Sequence, residues 1–94
     1  MIEMDLNSSF IIAPGVQARQ VGEELVMLDL ETGTYFGLDS GGRRFWYLLE
    51  NGESLSQICG TMVEEFDTTL EVLERDILAL ARDLIDKKLI IAQT

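Results

Sequence analysis

The pattern of hydrophobic and polar positions along the chain changes from strand-like to helical at Asp39. Before this point, residues 16–21 and 25–30 are short runs rich in Val and Leu, and residues 34–38 form a third run. Short apolar runs bounded by turn residues are typical of β-strands. The turns between them are brief, and Gly33 can supply a positive φ in the second one. We therefore expect three strands in an antiparallel meander.

After the strands, two segments carry the start and stop signals of helices. Asp39 or Ser40 can cap a first helix, which Asn51-Gly52 ends. Ser54 and Gln57 then form a capping-box pair at the start of a second helix. Apolar residues recur at helical spacing behind this box, which predicts an amphipathic helix of about 13 residues. Its expected inward residues are Leu55, Ile58, Cys59, Met62, Val63 and Phe66.

A third and longest helix is predicted to open at a second capping-box pair, Thr68 and Glu71. Its apolar residues fall on one face, and Lys87-Lys88 follow where the negative end of the helix dipole favours positive charge. Residues 89–91 close the chain as a short apolar tail or strand. The expected core stripe of this helix is Leu70, Leu73, Ile77, Leu80, Ala81 and Leu84.

Strands followed by helices with short connections predict an α+β domain. The expected arrangement is winged helix-turn-helix-like, with a three-stranded antiparallel sheet followed by a three-helix bundle. Residues 16–94 form this domain. Residues 1–15 are interpreted as an N-terminal extension, in which the apolar segment 10–13 is a weaker signal for a further short strand that Pro14-Gly15 would end.

The composition restricts the classes of function. Seventeen acidic residues against seven basic give a net charge of −10, which repels nucleic acid and anionic lipid and attracts neutral or basic partners. The first ten residues lack the basic start and apolar run of a signal peptide, and no apolar run is long enough to span a membrane. We therefore expect a cytoplasmic protein that binds neither nucleic acid nor membrane.

Candidate catalytic and metal-binding groups are few. The chain has no histidine, so the commonest general base and metal ligand is missing, and its one cysteine, Cys59, lies on an apolar helix face. Asp39-Ser40 is similar to the attachment site of acyl carrier proteins, which keeps modification on Ser40 as an alternative function. The preceding strands favour a simple helix cap at this position instead. We expect no enzyme activity, no cofactor and no metal.

What remains is a surface that could accept a peptide. The third strand contains no charge or proline of the kind that normally protects a sheet edge, so it could pair with an incoming strand. Beside the core stripe, the third helix carries a flank of small apolar residues and carboxylates, which could form the other wall of a groove. The candidate binding residues are Thr34, Tyr35, Phe36, Gly37, Leu38, Val72, Leu73, Asp76, Ile77, Ala79, Leu80 and Asp83.

Several segments resemble the PqqD-like proteins, which are the RiPP precursor recognition elements. The run Leu-Asp-Leu-Glu-Thr-Gly-Thr-Tyr-Phe-Gly-Leu-Asp at residues 28–39 is similar to their strand–turn–strand signature. Residues 42–49 with Asn51-Gly52 resemble their first helix, and Asp76-Ile77 with the spaced leucines after it resembles their closing helix. In this family a Gly usually precedes the final apolar residues, where this chain has Lys88.

The resemblance implies a function. Within the family, the chain most resembles the free-standing leader-binding B protein of split lasso-peptide systems. A leader segment of the precursor would add antiparallel to the third strand, with side chains entering the cleft beside the third helix. The bound precursor would then be presented to a leader peptidase, a transglutaminase-like cysteine protease, and to a cyclase. The alternative within the family is a PqqD-type peptide chaperone for a radical SAM enzyme.

Overall fold

A computed structural model of the protein describes residues 5–93. Its elements follow the expected order of strands and then helices, with one further strand at each end. The strands are β1 (Ser9–Ile12), β2 (Val16–Val21), β3 (Glu24–Asp29), β4 (Thr34–Leu38) and β5 (Ile90–Gln93); the helices are α1 (Ser40–Glu50), α2 (Leu55–Glu65) and α3 (Leu70–Asp86).

The expected three-stranded antiparallel meander is confirmed as the sheet β2-β3-β4, so the third predicted strand is β4. Gly22 (φ 63°) and Gly33 (φ 73°) occupy the two hairpin turns in the left-handed conformation that glycine adopts without strain. The middle strand begins and ends one residue earlier than expected. Leu30, placed in that strand by its hydrophobicity, follows it as an exposed turn residue instead.

A second sheet joins the two ends of the described chain, because β1 pairs antiparallel with β5. The short N-terminal strand that the sequence signalled weakly is therefore present, and so is the C-terminal one. Phe10 of β1 is buried in the same core as the helices. Residues 9–12 thus pack with the unit formed by the rest of the chain.

The helix caps follow local sequence signals with one correction. Asp39 caps α1 by accepting a hydrogen bond from the Gly42 N–H, and Ser54 and Gln57 form the expected capping box of α2. The cap of α3 is Thr69, and the expected Thr68–Glu71 box is wrong. The Thr69 hydroxyl accepts from the Val72 N–H, and a valine side chain has no acceptor with which to complete a box.

The end of α3 forms a Schellman turn. The Lys88 N–H donates to the Ile85 carbonyl and the Leu89 N–H donates to the Leu84 carbonyl, both at 2.9 Å. Lys88 has a φ of 62°, a conformation that favours glycine, so this lysine stands where the PqqD-like pattern has Gly. The turn reverses the chain into β5.

One core lies between the sheets and the three helices. Its largest fully buried side chains come from every layer and include Trp46, Phe10, Phe45, Leu25 and Met27. Four expected core positions are not fully buried, and Val63 of α2 is one of them, being half-buried. Leu70 starts α3 and is exposed, Phe66 follows the end of α2 and is 37% exposed, and Leu80 is half-buried. Within residues 5–93, no helix is long and apolar enough to cross a membrane.

Candidate functional site

The strand order places β4 at one edge of the three-stranded sheet, with β3 on its other side. Its side chains alternate between the two faces of the sheet. Leu38 is buried and Phe36 half-buried toward the helices, whereas Tyr35 is 70% exposed on the outer face. Gly37 shares that outer face because it lies two residues from Tyr35. The edge of β4 is thus next to the helical layer on one face and open to solvent on the other.

The flank of α3 that faces β4 is identified by a contact at its C-terminal end. The Lys87 ammonium lies 5.0 Å from the centre of the Phe36 ring, within cation–π range, and 3.5 Å from an Asp83 carboxylate oxygen. With about 100° between successive helix residues, Lys87, Leu80 and Asp76 fall on the same side of α3. We call the space between this side of α3 and the inner face of β4 the β4–α3 groove.

At the other end of β4, where Asp39 follows the strand, lies a cavity of about 290 Å³ between the three helices. Four of the twelve candidate residues line it: Leu73, Asp76, Ile77 and Leu80. The sequence interpretation missed its other lining residues, which are Asp39, Gly41, Gly42, Met62, Phe66 and Thr68. The position of Asp39 directly after the third strand was an available signal, since a residue there must lie at the end of the groove.

The remaining candidates on α3 lie farther from the cavity. Val72 is 36% exposed, and Ala79 and Asp83 are also exposed. Asp83 is held near β4 through its ion pair with Lys87. Ala79 lies about 60° around the helix from Asp76, toward solvent. The structure therefore groups Leu73, Asp76, Ile77 and Leu80 and leaves the other three on the outer rim.

The Tyr35 side chain belongs to a different surface. Together with Gln17, Ala18, Arg19, Val26 and Leu28 it lines a shallow cavity of about 250 Å³ on the outer face of the sheet. In the β3–β4 register it lies directly opposite Leu28. Tyr35 therefore contributes its backbone to the edge of β4, while its side chain points away from α3.

An ion pair fixes the two helices that form the back of the cavity. The Arg44 guanidinium on α1 donates two hydrogen bonds, of 2.8 and 2.7 Å, to the carboxylate of Glu65 at the end of α2. The hydrogen bond from Arg44 lowers the pKa of Glu65, and the same bond raises the pKa of Arg44. Both side chains are partly exposed, so this bidentate pair orients the helix ends more than it stabilises the fold.

No reactive group faces the groove or the cavity among the residues that line them. Cys59 is completely buried, and burial raises the pKa of its thiol, which disfavours the nucleophilic thiolate. Within the described part of the chain, no three His, Cys, Asp or Glu residues are gathered as a metal ion would require. The site offers an open backbone edge, apolar side chains and two carboxylates.

Gly42 sets the distance between α1 and β4, and we predict that Gly42→Ala destabilises the protein. A Cβ at this position would lie 2.9 Å from the Leu38 Cβ, which cannot rotate away. Overpacking of this kind costs about 1–3 kcal/mol, partly offset by the higher helix propensity of alanine. Thermal unfolding followed by circular dichroism measures the change.

The matched control is Gly41→Ala, one residue earlier in the same helix. A Cβ there meets only an Asp39 carboxylate oxygen, at an ordinary 3.5 Å. We expect this variant to melt at or above the temperature of the unmodified protein. Equal melting temperatures for the two variants would contradict the close approach of α1 and β4.

Comparisons with known proteins identify the family of this chain. The family model described as coenzyme PQQ synthesis protein D (PqqD) matches residues 24–90. A search of the curated proteins found no match. Among solved structures, TbiB1 in complex with the TbiA(β) leader peptide is 38% identical, with a TM-score of 0.80 over 85% of this chain and 93% of that one.

A second solved structure, a lasso peptide synthetase B1 complexed with the leader peptide, has a TM-score of 0.83. It covers 88% of this chain and 98% of that one, but its sequence identity of 24% supports the fold alone. The family model spans both strands of the β3–β4 hairpin and all three helices. The chain therefore belongs to the PqqD family, the RiPP precursor recognition elements.

Proposed function

We propose that this protein binds the leader segment of a ribosomally made precursor peptide in the β4–α3 groove and presents the precursor to a partner leader peptidase and a cyclase. The leader adds as an antiparallel strand to the open edge of β4. Its alternate side chains enter the space between β4 and α3. The protein itself changes no covalent bond.

The observation that carries the proposal is the position of β4 at a sheet edge beside an apolar cavity. Backbone N–H and C=O groups along such an edge supply hydrogen bonds for any extended peptide, and pockets beside it select the side chains. The 38% identity to TbiB1, which was solved with a leader peptide, supports a leader peptide as the ligand here. The net charge of −10 favours a basic or neutral peptide over a nucleic acid.

The same groove would serve the alternative within the family, a peptide chaperone for a radical SAM enzyme. The match to the PqqD family model supports it, and the identity to TbiB1 supports leader-peptide binding in either system. Modification on Ser40 has less support, because Ser40 is the first residue of α1 in a fold that contains β-sheets, whereas carrier proteins are helical.

The first test is binding without reaction. We expect a fluorescein-labelled leader, taken from a short precursor encoded beside the gene, to bind the pure protein by fluorescence polarisation. Mass spectrometry of the full precursor incubated with the protein should then show an unchanged mass. Adding the neighbouring peptidase should release the leader, and omission of this protein should slow that cleavage. A precursor that is cleaved or cyclised by the protein alone would contradict a purely binding function.

A further inference from the structure

We infer that the cavity at the Leu38 end of the groove binds two neighbouring leader residues, an apolar side chain inside and a basic side chain at the rim. These residues lie immediately N-terminal to the leader segment that pairs with β4. The inference rests on the proposed function and specifies which leader residues this part of the site selects.

The interior of the cavity suits one apolar side chain. Met62, Leu73 and Ile77 form buried walls, and Phe66 stands 37% exposed at the end of α2. An exposed phenylalanine beside buried apolar residues leaves hydrophobic surface that a ligand side chain can cover. The volume of about 290 Å³ is at or below the low end of the range of about 300–1,000 Å³ for cavities that hold drug-sized ligands. The space therefore fits a single side chain better than a cofactor.

The rim of the cavity carries negative charge without a nearby cation among its lining residues. Asp39 and Asp76 line the cavity, whereas no Lys or Arg does. One Asp39 oxygen accepts from the Gly42 N–H at 2.9 Å, and Asp76 lies 3.9 Å from the exposed Arg75 side chain, a long and solvated ion pair. A lysine or arginine on the leader would therefore meet carboxylates that have no strong cationic partner.

The direction of the bound strand decides which end of the leader reaches these carboxylates. Asp39 directly follows Leu38, the last residue of β4. A strand added antiparallel to β4 begins opposite Leu38 and runs toward Thr34. At its far end it approaches Lys87 over the Phe36 ring, and there the nearby carboxylate, Asp83, is already paired with Lys87. The charges along the groove therefore favour a basic residue before the paired segment and not within its second half.

The test uses displayed random peptides as the probe, selected on the purified protein and competed with a peptide already shown to require β4. We expect the selected peptides to share an apolar residue with an adjacent Lys or Arg, N-terminal to an extended segment. In a synthetic representative, replacing that basic residue by glutamine should weaken binding about two- to fivefold, the range expected for a partly exposed ion pair.

A double-mutant cycle with Asp39→Asn and Asp76→Asn assigns the contact. Asparagine is as good a helix cap as aspartate, so Asp39→Asn removes charge and keeps the start of α1. For at least one of these protein variants, replacing the basic residue of the peptide by glutamine should lower the binding affinity little further. The control is Asp86→Asn, an exposed position about 15 Å along α3 from Asp76, on which the full effect of the peptide substitution should remain.

Additive effects at both Asp39 and Asp76, or a basic residue found only C-terminal to the paired segment, would overturn this inference and leave strand addition intact. Selected peptides that bind equally well to folded variants with a proline at the edge of β4 would instead contradict the proposed function. The two failures are therefore distinguishable in the same set of measurements.

Discussion

Proline at the open edge of β4 should lower leader affinity at least about tenfold without unfolding the protein. Successive N–H groups of a strand point to opposite edges, so the N–H groups of Tyr35 and Gly37 point one way and that of Phe36 points the other. One set donates to β3 and the other lies at the free edge. A proline at the free edge removes a donor and places its ring against the incoming strand, whereas a proline on the β3 side breaks the sheet.

The experiment compares Tyr35→Pro, Phe36→Pro and Gly37→Pro by melting temperature and by leader fluorescence polarisation. Tyr35→Pro and Gly37→Pro should behave alike and differ from Phe36→Pro. The variants whose proline lies at the free edge should keep the melting temperature of the unmodified protein and lose leader binding. Each lost backbone hydrogen bond to the leader contributes about 1 kcal/mol, and the proline ring adds a clash.

The control strand is β2, which forms the opposite edge of the same sheet. The backbone N–H groups of Ala18 and Arg19 point to opposite edges of β2, so one of Ala18→Pro and Arg19→Pro should keep the sheet intact. The variant that folds should bind the leader normally. If it loses binding as the β4 variant does, or if the folded β4 variant binds with full affinity, then β4 is not the leader-binding edge.

Ile77→Ala should destabilise the fold by about 2–5 kcal/mol, the usual cost of removing most of a buried aliphatic side chain. Ile77 is 3% exposed, and Leu73 and Ala81 lie one turn away on the same buried stripe of α3. For a domain of this size each kcal/mol corresponds to about 4–8 °C in Tm. Differential scanning calorimetry measures this loss directly.

The neighbouring residue provides the contrasting variant. The Asp76 side chain is 66% exposed and makes only the long ion pair with Arg75. Asp76→Ala should therefore keep its stability within about 0.5 kcal/mol and yet bind the leader more weakly. An Asp76→Ala variant with unchanged affinity would remove Asp76 from the site. An Ile77→Ala variant with unchanged Tm would show that α3 is packed differently.

Local signals in the sequence were sufficient for most of the elements. The meander, the Asp39 cap and the Ser54–Gln57 box all depend on residues within a few positions of one another, so their physics acts before the chain is packed. Where two neighbouring residues could both cap a helix, as Thr68 and Thr69 could, the prediction from the sequence was wrong. A threonine precedes α3 at both positions, and only the folded backbone determines which hydroxyl reaches a free N–H.

The tertiary structure alone decided which distant residues share a surface. The pairing of β1 with β5 joins Ser9 to Gln93, and no periodicity in either segment specifies that partner. Likewise, hydrophobicity placed Phe66 in the core, but α2 ends before it and leaves it at the mouth of the cavity. The sequence by itself determined the elements, their buried faces and an unprotected strand. The packing of the three helices decided that this strand ends beside a cavity, because that depends on contacts between residues far apart in the chain.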